Sequence, residues 1–196
     1  MYKTLLIHIK ETYPEITDED FNMIIKTTFY TEYCKKTIVW REGDYPKDIG
    51  FVIKGCFRYF NTNKDGEERN THFAVEDWWI GDLNSILHDQ PALQSIEALE
   101  DSIVLSIKKP DYKNLIENCA GFRRFTYKKR DRAYAATVKR LADINEPAEV
   151  RYENLIKKYP DALNRIPLYH IASYLGIKPE SLSRLRKSMA RSKKYQ

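Results

Sequence analysis

The chain has 196 residues, of which 42% are hydrophobic and 13% aromatic, so it can bury a core and is not a disordered polypeptide. Its net charge of +5 is unevenly placed, because residues 151–196 hold eleven basic and three acidic side chains and the other 150 residues hold 22 basic and 25 acidic. A basic segment on a nearly neutral body favours a module that binds a polyanion, with a solvated basic tail as the alternative.

The cysteines and the N-terminal segment exclude further classes of protein. Cys34, Cys56 and Cys119 are far apart and form no CxxC pair, so neither a zinc ribbon nor a disulfide framework is indicated. The short apolar run near the N-terminus is broken by His8 and Lys10, too early for a signal peptide or a membrane span. We therefore expect a cytoplasmic protein with no metal, no cofactor and no membrane partner.

The first 30 residues have the periodicity of helices, and the residues after them have the pattern of β-strands. Residues 1–30 read as helical, and Thr17 precedes an acidic turn as an N-cap residue does. From about residue 33, short runs rich in β-branched and aromatic residues alternate with turn signals. The predicted strands are 37–40, 50–53, 56–60, 69–75 and 102–107. Their spacing of about ten residues indicates an antiparallel sandwich or barrel.

A long helix is predicted over residues 122–144, which contain neither proline nor glycine. Its apolar residues lie near a seven-residue repeat, and pairing with a twofold-related copy would bury them. Asp131 interrupts this stripe, and packing against the chain's own domain is the alternative. The predicted dimer interface consists of Tyr127, Tyr134, Val138 and Leu141.

The most specific pattern lies in residues 166–187. Gly176 stands where one apolar-faced helix must turn sharply, and Pro179 suits the first position of the next helix. The small Ala172 lets two helices cross closely. This pattern is typical of a helix-turn-helix, with a plain two-helix corner as the alternative. The side chains predicted to contact DNA from the second helix are Glu180, Ser181, Ser183, Arg184 and Lys187.

Along nearly all of its length the chain resembles the Crp/Fnr superfamily of bacterial transcription factors. The order of β-roll, long helix and small helical DNA-binding domain is the same. Residues 41–44 and 53–55 look like the glycine-marked turns of the family, and Ile-Gly-Asp-Leu at 80–83 lies where members begin the phosphate-binding cassette. Residues 95–101 resemble the strand that follows that cassette.

The resemblance implies an α+β fold in three parts. These are a jelly-roll-like antiparallel β-roll over residues 1–118, a dimerisation helix over 119–145 and a helix-turn-helix domain over 146–196. It implies a homodimeric regulator, not an enzyme, that binds an inverted-repeat operator in double-stranded DNA. RNA polymerase is a further candidate partner.

One departure from the family concerns its effector. Members that bind cyclic nucleotides use an Arg-Ser or Arg-Thr pair to neutralise the phosphate, and the matching positions here are Ala92 and Leu93. No Arg or Lys occurs from residue 78 to 101, and a buried phosphodiester without a charged partner is costly to desolvate. We expect no response to cyclic AMP. The degenerate pocket would comprise Gly81, Asp82, Leu83, Ala92 and Leu93. With Trp78 and Trp79 nearby, it would suit an apolar effector or none.

The second departure concerns the β-hairpin wing that follows the recognition helix in most members. Residues 192–196 are too few to form it, so the wing is expected to be missing or truncated. In the recognition helix itself, Glu180, Ser183 and Arg184 match the E-x-x-S-R pattern of Fnr-type members, whereas Pro179 stands where cyclic-AMP receptor proteins have another arginine.

Functions from other classes remain as alternatives. One alternative is a β-barrel protein that binds a small molecule and whose C-terminal helices bind a protein partner. A cupin-like enzyme is the more specific version of this alternative. A cupin needs several metal ligands on its strands, and His72 is the one strand histidine found. Fnr-type iron–sulfur sensing is not indicated because the cysteines do not cluster.

Overall fold

The computed structural model describes residues 1–192, which form eight α-helices, eight strands and one 3₁₀ turn. The helices are α1 (Tyr2–Thr12), α2 (Asp18–Thr27), α3 (Leu83–His88), α4 (Lys109–Asn118), α5 (Ala120–Ala142), α6 (Ala148–Lys158), α7 (Leu168–Leu175) and α8 (Pro179–Ser192). The strands are β1 (Thr28–Tyr33), β2 (Ile38–Trp40), β3 (Asp48–Lys54), β4 (Phe57–Thr62), β5 (Glu68–Ala74), β6 (Trp79–Ile80), β7 (Ser95–Ala98) and β8 (Ser102–Lys108). The 3₁₀ turn spans Asp143–Asn145.

The N-terminal region follows the predicted helices up to residue 27. The Thr17 hydroxyl accepts a hydrogen bond from the Asp20 backbone N–H at 3.1 Å, and the Asp20 carboxylate accepts one from the Thr17 N–H, so α2 begins with a capping box. The prediction of helix up to residue 30 was wrong at its end. Residues 28–33 form β1, because this run of threonine and aromatic residues pairs in full register with β8.

Two antiparallel sheets form the β-roll, in the strand orders β1-β8-β3-β6 and β2-β7-β4-β5. Their facing sides enclose a core that includes Trp40, Val52, Phe57 and Val104. The other side of the first sheet is covered by α1, α2, α4 and the start of α5. The strands predicted from the sequence are confirmed to within about two residues, and so is the α+β fold class.

The long helix α5 has two halves with different surroundings. Phe122 and Phe125 are buried against the N-terminal helices. Every residue from 131 to 142 is exposed, and Tyr134 and Leu141 keep 74% and 60% of their surface open. The first half of α5 therefore packs against the chain's own domain, as the alternative expected, and the side chains of residues 131–142 remain exposed.

The C-terminal helices form the predicted helix-turn-helix. Gly176 adopts the left-handed conformation at φ 64°, the Ile177 N–H donates to the Ala172 carbonyl at 3.0 Å, and α8 begins at Pro179. Leu182 of α8 is fully buried beneath α7. The expectation of a missing or truncated wing concerns the last residues, and 193–196 lie outside the described residues.

This domain is docked on β5 of the β-roll. Asn70, 2% exposed, donates from its backbone to the Ser173 hydroxyl at 3.0 Å and from its side chain to the His170 carbonyl at 3.0 Å and to its ring Nδ1 at 3.2 Å. The Tyr159 hydroxyl donates to the Phe73 carbonyl at 2.8 Å. Buried polar groups on both sides of the interface are thus paired with each other.

Burial and the nearby Arg58 lower the pKa of His170 to about 4, below its ordinary value of about 6.5. The stabilising effect of a neutral His170 is therefore complete above pH 6.5 and is lost as the pH falls toward 4. Protonation also turns the ring nitrogen that faces the Asn70 amide into a donor. We expect the free energy of unfolding to fall by about 1–3 kcal/mol more between pH 7 and pH 4.5 in the wild type than in His170→Gln.

Urea denaturation at the two pH values measures this difference. His88→Gln is the matched control, because His88 is exposed and lies on α3, away from the docked interface. If His170→Gln loses as much stability as the wild type, the histidine does not carry this pH dependence.

Candidate functional site

An open cavity of about 450 Å³ lies in the β-roll beside the start of α3. It brings together four of the five residues predicted for the effector pocket. Ala92 is the exception, and its placement in the pocket was wrong: its short side chain is buried in the core between the sheets. The cavity is lined by Trp40, Tyr59, Asn61, His72, Gly81, Asp82, Leu83, Leu93 and Gln94.

The two tryptophans expected beside the pocket lie elsewhere. Trp79 packs against Phe51 and Phe125, with ring centroids 5.5 and 6.0 Å away, in the core formed with the N-terminal helices. Trp78 packs against Tyr159 of the C-terminal domain at 5.4 Å. The aromatic wall of the cavity is instead formed by Trp40, Tyr59 and His72, because the alternation of strand residues turns these side chains inward.

The hydrogen-bond donors of the cassette are already occupied by the protein's own groups. The Asp82 carboxylate accepts from the backbone N–H of Ser85 at 3.0 Å and from that of Leu93 at 3.1 Å. The Gly81 N–H donates to the Tyr59 hydroxyl at 2.9 Å. An anion entering the cavity would have to displace a carboxylate, and no lysine or arginine among residues 1–192 lines the cavity to attract it.

The remaining polar groups of the cavity are uncharged. Asn61 and Gln94 hydrogen-bond each other at 3.0 Å, and the Asn61 amide also donates to the Leu93 carbonyl at 2.6 Å. His72 stacks on Tyr59 with ring centroids 3.8 Å apart. Its burial, together with the charges of Arg140 and Lys158, lowers its pKa to about 3. His72 is therefore neutral, and the cavity can hydrogen-bond an uncharged or cationic ligand better than an anion.

The outer face of α8 carries the residues predicted to contact DNA. Glu180, Arg184 and Lys187 are exposed and recur at intervals of four and three residues, so they share one face. Ser181 and Ser183 are partly exposed beside them. Within residues 1–192, no hydrogen bond or ion pair engages any of these five side chains. The opposite face, with Leu182, Leu185 and Met189, packs on α7 and its neighbours.

The described residues contain neither a cluster of metal ligands nor a membrane-spanning helix. No three His, Cys, Asp or Glu side chains among residues 1–192 lie close enough together to hold a metal ion. Over the same range, none of the helices combines the length and the apolar character needed to cross a membrane.

Comparisons with known proteins agree with this architecture. Residues 30–119 match the family model of the cyclic nucleotide-binding domain. FixK2 from Bradyrhizobium japonicum superimposes with a TM-score of 0.72 at 16% identity, over 84% of this chain and 85% of that one. The c-di-GMP-responsive global regulator CLP of Xanthomonas campestris gives 0.69 at 12% identity, over 90% and 93%. The catabolite activator protein of Thermus thermophilus gives 0.56 at 21% identity, over 92% and 87%.

The chain has the Crp/Fnr fold. The fold that the resemblance implied is thereby confirmed, and residues 30–119 match the model of the cyclic nucleotide-binding domain. No protein among the curated sequences matches the chain.

Five residues of the cavity wall were not predicted from the sequence. They were absent from the predicted pocket because they come from strands distant in sequence, although inward alternation along β4 could have indicated Tyr59 and Asn61. The missed residues are Trp40, Tyr59, Asn61, His72 and Gln94.

Proposed function

We propose that this protein is a sequence-specific DNA-binding transcription regulator that acts in the cytoplasm as a homodimer, is not an enzyme and does not respond to cyclic AMP. The observation that carries the proposal is a helix-turn-helix whose second helix, α8, presents the exposed side chains of Glu180, Arg184 and Lys187 outward from a Crp/Fnr fold. The three units are the β-roll (1–118), the dimerisation helix (119–145) and the DNA-binding domain (146–196).

The chemistry of α8 supports direct contact with bases. An arginine at position 184 can donate two parallel hydrogen bonds to O6 and N7 of guanine, and Glu180 can accept from the amino group of cytosine. Ser181, in the first turn of α8, and Lys187, on its flank, are better placed for phosphates. Ser183 belongs with Glu180 and Arg184 to the E-x-x-S-R pattern. The net charge of +8 over residues 151–196 adds a general attraction to DNA.

The exposed half of α5 supports the dimer. Tyr134, Val138 and Leu141 form an open apolar stripe on it, and Tyr127 extends the stripe into the first half of the helix. A twofold copy would cover this stripe and place two α8 helices for half-sites about 34 Å apart, one helical turn of DNA. An inverted-repeat operator follows from that symmetry.

The occupied cassette supports the absence of a cyclic-nucleotide response. A phosphodiester in the cavity would meet the Asp82 carboxylate instead of an arginine. We expect titration calorimetry to detect no micromolar one-to-one complex with cyclic AMP or cyclic GMP, with a known cyclic-AMP-binding protein as the positive control. A micromolar complex with either nucleotide would show that the cavity has another way to neutralise the phosphate.

The proposed dimer is tested by a charge on the stripe. Leu141→Glu would bury an unpaired carboxylate at the interface, at a cost of several kcal/mol, so light scattering should report a monomer. Ala133→Glu is the matched control, because this exposed residue lies on another face of α5 and its variant should stay dimeric. A fully dimeric Leu141→Glu would place the interface elsewhere.

Base reading is tested on an operator selected from genomic fragments with the purified protein. Arg184→Ala should cost about 1–3 kcal/mol and relax the preference at one base pair in each half-site. Lys187→Ala should weaken all sequences alike and reduce the slope of log affinity against log salt by about one. The affinities of single-base operator variants at two salt concentrations measure both effects.

Two results would count against the DNA assignment. If Arg184→Ala weakens every operator variant equally, Arg184 is a phosphate contact and does not read a base. If no genomic fragment is retained at all, the proposed function is wrong, and the alternative of C-terminal helices that bind a protein partner is favoured.

A further inference from the structure

A second cavity of about 650 Å³ lies where β5, the end of α5, α6 and α7 meet, outside the β-roll cavity. Its lining contains one acidic residue, Asp143, and six basic ones from three elements. We call it the basic cleft. The six basic residues are Arg69 of β5, Lys139 and Arg140 of α5, and Arg151, Lys157 and Lys158 of α6.

The positive charge of the basic cleft is not neutralised by the protein. Across residues 1–192, no carboxylate lies within ion-pairing distance of any of the six cations. Arg140 donates to the Thr71 carbonyl, and Arg151 donates to the Glu146 carbonyl at 3.1 Å. Lys158 lies 5.1 Å from the centre of the Trp78 ring, and its burial and the charge of Arg140 lower its pKa. Cations held together in this way repel each other unless an anion joins them.

The basic cleft is compatible with the proposed dimer. Ala136, Arg140 and Asp143 recur at intervals of four and three residues and face the cleft. At 100° per residue they lie about half a turn from Tyr134 and Val138 of the apolar stripe. Leu141 of the stripe also lines the cleft, so a partner copy would border the cleft at this residue, while Ala136, Arg140 and Asp143 would stay on the other side of α5.

We propose that the basic cleft binds a small polyphosphate anion, either free or as the phosphate part of a nucleotide. Several cations from separate elements converge on it, and the Asn154 amide and the Tyr174 ring offer further contacts. This site goes beyond the proposed function and does not depend on it. Because the anion would contact the β-roll, α5 and α6 together, it would hold the DNA-binding domain in its docked position.

Calorimetry without DNA tests the basic cleft, with sodium tripolyphosphate and ATP as probes. We expect one anion per chain. Arg69→Gln and Lys139→Gln should each weaken binding about tenfold, since each removes one charge-assisted contact. Neither side chain makes a hydrogen bond or an ion pair in the described part of the chain, so both variants should fold. Lys64→Gln, an exposed lysine on the β4–β5 turn, is the matched control and should bind like the wild type.

The two probes distinguish the sources of the phosphate. ATP binding at least about tenfold tighter than tripolyphosphate identifies a nucleotide site, and equal affinities identify a site for the free anion. Absence of binding for both probes, or equal weakening by Lys64→Gln, overturns the proposal.

Operator binding provides the remaining check. Arg69→Gln and Lys139→Gln should leave the affinity for the operator unchanged when no anion is present. If they weaken it as Lys187→Ala does, the cleft is part of the DNA surface and the proposal is wrong. Anion binding by a protein that retains no genomic fragment would contradict the proposed function and leave the basic cleft in place.

Discussion

The structure depends on a two-stranded ribbon, β4 and β5, whose two faces have different partners. Successive strand residues point to opposite faces, so Tyr59 and His72 line the β-roll cavity while Arg58 and Phe73 face outward. Arg58 is 5% exposed and pairs with Glu97 and Glu68, as a buried cation must. Its guanidinium also donates to Asn70, which holds the helix-turn-helix. One layer of backbone therefore separates the cavity from the C-terminal helical domain.

An irregularity at Thr71 connects this ribbon to α5. The pairing of β4 with β5 slips by one residue between Tyr59 and Phe60, which leaves Thr71 unpaired as in a β-bulge. Its freed carbonyl accepts from Arg140 of α5, and its hydroxyl accepts from Gln94 of the cavity wall at 2.8 Å. A shift of register by one residue would exchange the two faces of β5. Cavity, long helix and docked domain are thus fixed by the same few residues.

The parts that could be predicted from the sequence are those determined by local spacing. The helix-turn-helix follows from Ala172, Gly176 and Pro179 within eight residues, and the capping box from Thr17 and Asp20. The cavity wall could not be predicted in the same way, because the stacking of Tyr59 on His72 arises only when β4 pairs with β5. Phe29 and its neighbours in β1 were misassigned for the same reason, since pairing with β8 across more than 70 residues overrides a weak local preference.

The exposed half of α5 is the least self-sufficient part of the described chain. An isolated helix of fewer than about 12–15 residues is marginal in water, because most helical stability in proteins comes from packing of an apolar face. Phe122 and Phe125 supply that packing for the first half, and Arg140 ties the far end to the ribbon. Between them, each of residues 131–139 is exposed. A binding partner would stabilise this half of the helix in two ways. It would bury the apolar stripe on one side or neutralise the cations on the other.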